Sequence, residues 1–130
     1  LDRNLFVEKV LPGSILRELT KDELNEYRRP FANREDRWPT LTWPCQIPVG
    51  DEPADVASIV SDYSDWMAEN ELPKLFINAE PGAMLIGAPR DFCRSWKNQQ
   101  EVTVEGSHFV QEDSGQEIGQ SISTWLRTIS

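Results

Sequence analysis

The later part of this chain alternates between helical spacing and short apolar runs, and this alternation limits the folds that are open to it. Apolar residues lie three and four positions apart over residues 56–67, and residues 90–96 again have a helical pattern. The short apolar run at 74–79 is typical of a buried parallel strand, and the alternating valines at 102–105 predict a second strand. Helical spacing returns over residues 118–129. The order helix, strand, helix, strand, helix predicts an α/β fold.

The only histidine of the chain, His108, follows the second predicted strand. Ser114 and Glu117 have the spacing of a capping box, which predicts that the last helix begins at Ser114. Open α/β sheets build their sites in the loops after the carboxyl ends of strands, and neutral imidazole titrates near working pH. His108 therefore suits a general base, although an ordinary loop histidine fits the same pattern. Glu112 and Asp113 are assigned a structural role, since negative charge suits the start of a helix.

The earlier part of the chain is less regular. Thr20 and Glu23 form a second capping-box pattern, which predicts a helix that ends before Pro30. Residues 30–48 contain four prolines interleaved with Trp38 and Trp43, so long regular elements are excluded there. Because burial of a large tryptophan side chain is strongly favourable, we expect an ordered segment that covers another surface.

Composition excludes some partners and leaves the activity open. The 130 residues carry a net charge of −9, which argues against nucleic acids and anionic membranes as partners. No apolar run approaches the length of a membrane span. The spacing of Cys45 and Cys93 suggests neither a metal site nor a redox pair, so we expect free, buried thiols and a reducing compartment, the cytoplasm.

A candidate base is present, but no residue for it to activate is visible. The sequence has no Gly-x-Ser-x-Gly elbow and no Gly-rich phosphate loop, and a single histidine excludes the usual zinc patterns. We expect no metal and no cofactor. Glu80, after the first predicted strand, could orient His108 as a triad acid, but a solvated carboxylate in a Pro-Gly turn is the commoner case.

Five stretches, in one family's order and spacing, are spread over essentially the whole chain: residues 4–13, 27–31, 37–44, 73–83 and 106–113. With these stretches the chain resembles the C-terminal part of haloalkane dehalogenases of the α/β-hydrolase superfamily. Renilla-type luciferases share much of the pattern, including the His-Phe-x-Gln-Glu-Asp segment at 108–113. The run at 76–83 is more similar to the dehalogenases.

The resemblance implies a division of labour within a hydrolase. Residues 1–50 correspond to the later part of a helical cap, and residues 51–130 to the C-terminal part of the α/β-hydrolase core, with its last two parallel strands. In this family an aspartate displaces halide from carbon and forms an alkyl-enzyme ester, and a histidine matching His108 then activates the water that hydrolyses the ester. The expected partners are a small halogenated aliphatic substrate, water and the halide product, with no cofactor.

Pocket positions carry over from the same resemblance. They would line the substrate pocket or its tunnel, although each of these residues also fits plain core packing: Phe6, Ser14 (at the tunnel mouth), Pro44, Ile47, Ala83, Met84 and Phe109.

Two other functions stay open on the sequence alone. One is a luciferase-like oxygenase acting on an imidazopyrazinone, and the other is a non-catalytic binding module.

The resemblance also implies that several parts of the site lie upstream of Leu1. The nucleophilic aspartate, the two halide-holding residues and the acid partner of the histidine would all belong to an N-terminal half of the same enzyme. We therefore predict that residues 1–130 alone release no halide. The assay is halide release from a short bromoalkane by the purified segment, and robust turnover would contradict this prediction.

Overall fold

The computed structural model describes residues 1–129, and their contacts divide the chain into two compact units. The first unit comprises Leu1–Gly13 and Glu18–Asp65, and the second comprises Ser14–Arg17 and the chain from Trp66 onward. The division into cap and core at residue 50 stays a prediction. The regular elements are helices α1 (Lys21–Arg28), α2 (Trp38–Thr42), α3 (Ala54–Glu69), α4 (Ala88–Arg94) and α5 (Val110–Leu126), and strands β1 (Lys74–Pro81) and β2 (Gln99–Gly106).

Helix α1 of the first unit begins with the capping box that the sequence predicts. The Thr20 hydroxyl oxygen accepts a hydrogen bond from the Glu23 N–H (3.3 Å), and the Glu23 carboxylate accepts one from the Thr20 N–H (2.7 Å). The helix ends at Arg28 and gives way to a 3₁₀ turn at Arg29–Phe31, since Pro30 cannot continue an α-helix. Both predicted boundaries of α1 are confirmed.

The proline-rich segment has short elements, as predicted, but its tryptophans are exposed. It contains the five-residue helix α2 and short 3₁₀ turns such as Pro44–Gln46, joined by bends. Trp38 is 51% and Trp43 77% exposed, so the expectation of burial is wrong within the described residues. Cys45 is also exposed, which corrects its assignment as a buried thiol, and Cys93 is only half-buried, while both cysteines are free as predicted.

In the second unit, β1 and β2 pair in parallel, as the alternation predicts. The register runs from Lys74 opposite Gln99 to Pro81 opposite Gly106, so the two strands end side by side. Helix α4 lies between them in the chain, close to the predicted residues 90–96. Both strands are longer than predicted: β1 includes Pro81, which the sequence placed in a turn.

Helix α5 begins earlier than the sequence predicts. It starts at Val110 and is kinked at Ser114, whose backbone angles (φ −129°, ψ 34°) are not helical. The buried Ser114 hydroxyl donates a hydrogen bond to the Glu105 carbonyl (2.6 Å). The predicted capping box with Glu117 is wrong, because the chain is already helical from Val110 and Phe109, not Ser114, is the residue at which α5 is capped.

Gly106 allows α5 to pass close to the end of β2. A Cβ atom at this position would lie 2.6 Å from Cγ2 of Val110 and 3.2 Å from its Cα. Only glycine therefore fits without a shift of the helix start. Within residues 1–129, no helix is both long enough and apolar enough to cross a membrane.

We predict that Thr20→Ala lowers the free energy of unfolding by about 1 kcal/mol, because the first turn of α1 loses its capping acceptor. The matched control is Ser61→Ala, which replaces an exposed hydroxyl inside α3 and should leave stability unchanged or slightly higher. Denaturant titration of the protein carrying this chain measures both. Equal stabilities for Thr20→Ala and the parent protein would show that the capping box contributes nothing.

Candidate functional site

The carboxyl ends of β1 and β2 bring two loops together in the second unit. The Gly82 N–H donates a hydrogen bond to the Gly106 carbonyl (2.9 Å), which continues the strand pairing by one step. The loop after β1 then carries Ala83 and Met84, and the loop after β2 carries His108. Their proximity is the arrangement expected where parallel strands end at one edge of a sheet.

A cavity of about 250 Å³ lies between these loops. It is lined by three of the residues implied by the resemblance, His108, Ala83 and Met84, and mostly by apolar side chains. Sequence reasoning missed the remaining lining residues: Phe76, Ile77, Ala79, Gly82, Leu85, Ser107 and Val110. Strand residues such as Phe76 and Ile77 have no sequence signal that separates a cavity wall from ordinary core.

The His108 side chain lines this cavity and is exposed to solvent in the structure of residues 1–129. Its ring packs against Phe109, with 4.7 Å between ring centroids and an angle of 55° between the planes. Within residues 1–129 we find no carboxylate that hydrogen-bonds to the imidazole. The Phe109 N–H donates to the Ser14 carbonyl (3.1 Å), so two further predicted residues adjoin the histidine loop.

Glu80 has a different partner from the one considered in the sequence analysis. Its carboxylate pairs with the Arg90 guanidinium (2.9 Å), the side chain is 60% exposed, and it does not line the cavity. Arg90 is only 12% exposed and also donates to three carbonyls, those of Leu85 (2.9 Å), Ala79 (3.0 Å) and Pro81 (3.3 Å). One guanidinium thus holds both ends of the loop that forms a wall of the cavity.

Gly82 is the point at which this wall turns. Its φ of +73° is a left-handed backbone conformation, which residues other than glycine rarely adopt. A Cβ atom there would also lie 2.8 Å from the Ala79 carbonyl oxygen and 2.8 Å from a guanidinium nitrogen of Arg90. The turn and the Arg90 network are therefore compatible only with glycine.

Three of the predicted pocket residues belong to the first unit. Phe6 is half-buried in a short π-helix, Phe6–Val10, whereas Pro44 and Ile47 are exposed in the proline-rich segment. Their role in a pocket stays a prediction, as do the roles of Ser14, Ala83, Met84 and Phe109. Neither cysteine lines the cavity, and burial raises the pKa of the Cys93 thiol, which disfavours the nucleophilic thiolate.

Comparison with known proteins gives consistent results, although no family model matches the chain. The chain is 56% identical over 130 residues to a haloalkane dehalogenase of Sphingobium indicum, covering 99% of this chain and 44% of that protein. A haloalkane dehalogenase of Mycolicibacterium smegmatis is 48% identical over 132 residues, with 99% and 42% covered. The crystal structure of haloalkane dehalogenase DbeA from Bradyrhizobium elkani USDA94 superposes with a TM-score of 0.91 at 40% identity, covering 98% of this chain and 45% of that one.

The two parallel strands, their flanking helices and this superposition define the chain as the C-terminal part of an α/β-hydrolase fold. Within that class, it is homologous to the C-terminal portion of haloalkane dehalogenases, as the sequence stretches predicted. The chain spans less than half the length of the curated relatives that it matches. The luciferase alternative receives no support from these relatives.

We predict that Arg90→Lys destabilises the protein by roughly 2–3 kcal/mol, because lysine cannot reproduce the planar fork and leaves carbonyls of the wall loop without a donor. The matched control is Arg94→Lys in the same helix, where an exposed guanidinium pairs with the Glu101 carboxylate (2.7 Å) and little change is expected. Denaturant titration measures both variants. Equal losses at the two positions would contradict a special role for Arg90.

Proposed function

We propose that this chain supplies the part of a haloalkane dehalogenase that carries its general base, His108. The observation that carries the proposal is the position of His108. It follows a parallel strand and borders an apolar cavity, in a chain 56% identical to a haloalkane dehalogenase over nearly its whole length. The nucleophilic aspartate, the halide-binding groups and the acid partner of His108 would be supplied by polypeptide outside these 130 residues. The intact enzyme would act in the cytoplasm without a cofactor.

The proposed reaction has two displacement steps. In the first, a carboxylate oxygen attacks the carbon that bears the halogen; the carbon–halogen bond breaks, halide leaves with the bonding electrons, and an alkyl ester forms. In the second, His108 takes a proton from water while the water oxygen adds to the ester carbonyl. Collapse of the resulting intermediate releases the alcohol and restores the carboxylate, and the imidazolium returns its proton to solvent. The net reaction converts haloalkane and water to alcohol, halide and a proton.

The apolar walls contribute to the first step by keeping bulk water away from the attacking carboxylate. A carboxylate is a poor nucleophile when it is hydrated, so a site lined by side chains such as Phe76, Ile77 and Leu85 favours attack on carbon. The proposed substrate is a small halogenated aliphatic molecule, with Phe6, Ser14, Pro44 and Ile47 as further candidates for the pocket and its tunnel.

The test of the proposed function is the variant His108→Asn in the intact enzyme that contains this chain. We predict one halide per active site followed by arrest, because the ester forms without the base but is not hydrolysed. Halide release is followed after rapid mixing with a short bromoalkane, and mass spectrometry detects the added alkyl group on the protein. Asn is polar and similar in size, so the local packing is retained.

Continued turnover by His108→Asn at the parent rate would refute the assignment of His108 as the base. Absence of the first halide in a variant that folds normally would instead mean that the histidine acts before or during the attack on carbon. A parent enzyme that releases no halide from any haloalkane would refute the dehalogenase activity itself.

A further inference from the structure

The carboxylate of Asp113 is bound entirely by backbone N–H groups on either side of the histidine loop. Its Oδ1 accepts hydrogen bonds from the N–H groups of Leu16 (2.9 Å) and Arg17 (3.1 Å). Its Oδ2 accepts one from the N–H of Ser107 (3.1 Å), the residue immediately before His108. A carboxylate that accepts from backbone N–H groups makes charge-assisted bonds, which are roughly twice as strong as neutral ones.

The residue on the other side of His108 is tied to the same segment. The Phe109 N–H donates to the carbonyl of Ser14 (3.1 Å), and Ser14–Arg17 is the segment whose N–H groups bind Asp113. Both neighbours of His108 in the chain are therefore held through their backbone N–H groups. The Ser114 hydroxyl, bonded to the Glu105 carbonyl (2.6 Å), holds the kink of α5 against the end of β2.

A general base depends on such restraint because its rate falls steeply with misplacement. A shift of about 1 Å can cost on the order of 100-fold in rate, and productive geometry requires placement within about 0.5 Å. The His108 ring is exposed and packs against Phe109, its own neighbour in the chain. Its direction is thus set largely by the backbone of residues 107–109, which Asp113 and Ser14 hold.

We propose that Asp113 is a positioning residue for His108, which it orients through the Ser107 N–H without touching substrate. The proposal rests on the proposed function of His108 as the base that hydrolyses the ester. It assigns Asp113 a role beyond the helix-start charge expected from the sequence. It also predicts a kinetic signature: because His108 acts only in the second step, loss of Asp113 should slow ester hydrolysis and spare the first displacement.

The variant Asp113→Asn makes this separation measurable in the intact enzyme. An amide has one acceptor oxygen and one NH₂ group, so the three N–H groups can no longer all be satisfied, while the size of the side chain is kept. In rapid mixing with a short bromoalkane, we expect the rate of the first halide release to stay within about twofold of the parent. The steady-state rate per active site should fall about tenfold, with accumulation of the alkylated protein.

Normalisation to the amplitude of the first halide release separates positioning from simple loss of folded enzyme. A merely structural role would lower that amplitude, or both rates together, and would leave their ratio unchanged. Glu112→Gln is the matched control: the adjacent carboxylate pairs with Arg17 (3.2 Å), and its loss should leave both rates unchanged. Ser114→Ala is a milder variant of the next residue: loss of its bond to the Glu105 carbonyl frees the kink of α5 beside Asp113, and it should shift the ratio in the same direction if Asp113→Asn does not yield folded protein.

Parent-like ratios in Asp113→Asn and Ser114→Ala would overturn the positioning role while the proposed function stands, provided that His108→Asn still arrests after one halide. Equal effects of Glu112→Gln and Asp113→Asn would also overturn it, because general loss of charge at the helix start would then explain the result. Full turnover by His108→Asn would overturn both proposals, since Asp113 would then be positioning a residue that is not the base.

Discussion

The candidate site depends on one constraint: two parallel strands end at the same level, and each is followed at once by a tightly held loop. Pro81 lies opposite Gly106, and the Gly82 N–H bonds to the Gly106 carbonyl (2.9 Å). Gly82, the residue just after β1, turns the chain in a left-handed conformation, and Gly106, the last residue of β2, leaves room for the adjacent helix because it has no Cβ. Two glycines, required for different physical reasons, therefore determine where the two loops start. The position of the cavity follows from those two starting points.

Much of this arrangement could be predicted, because it is encoded in local patterns. Apolar spacing at 56–67 and the valines at 102–105 predicted the helices and strands, and their alternation predicted the parallel pairing. The Thr20 capping box is a contact between residues three apart and forms as predicted. The Ser114 box has the same local pattern but does not form, because α5 already begins at Val110 and Ser114, at its kink, donates to the Glu105 carbonyl of the neighbouring strand. A hydrogen bond to a neighbouring strand cannot be predicted from a pattern of residues three positions apart.

Burial was harder to predict, since it depends on a surface that a pattern cannot specify. The spacing that predicted the last helix also predicts an apolar face, yet Ile122 is 41% and Leu126 48% exposed. Trp43, at 77%, shows the same for the proline-rich segment. Amphipathic spacing shows that a face suits a partner but does not say whether the partner is in the same 130 residues. The relatives are more than twice as long, so our proposed function places the missing surfaces in the rest of the enzyme.

Each of the two loops at the cavity is stabilised by one charged side chain that binds several backbone groups, a cation in one case and an anion in the other. Arg90 donates to three carbonyls at the two ends of the loop after β1, and Asp113 accepts from three N–H groups around the histidine loop. A loop cannot satisfy its own backbone as a helix or strand does, so a charged side chain with several donors or acceptors can replace the missing ladder. Such bonds are made to backbone groups, so they do not involve the side chains of Met84 and His108. A rigid backbone with side chains available to the cavity is what a site for a small apolar substrate and a general base would require.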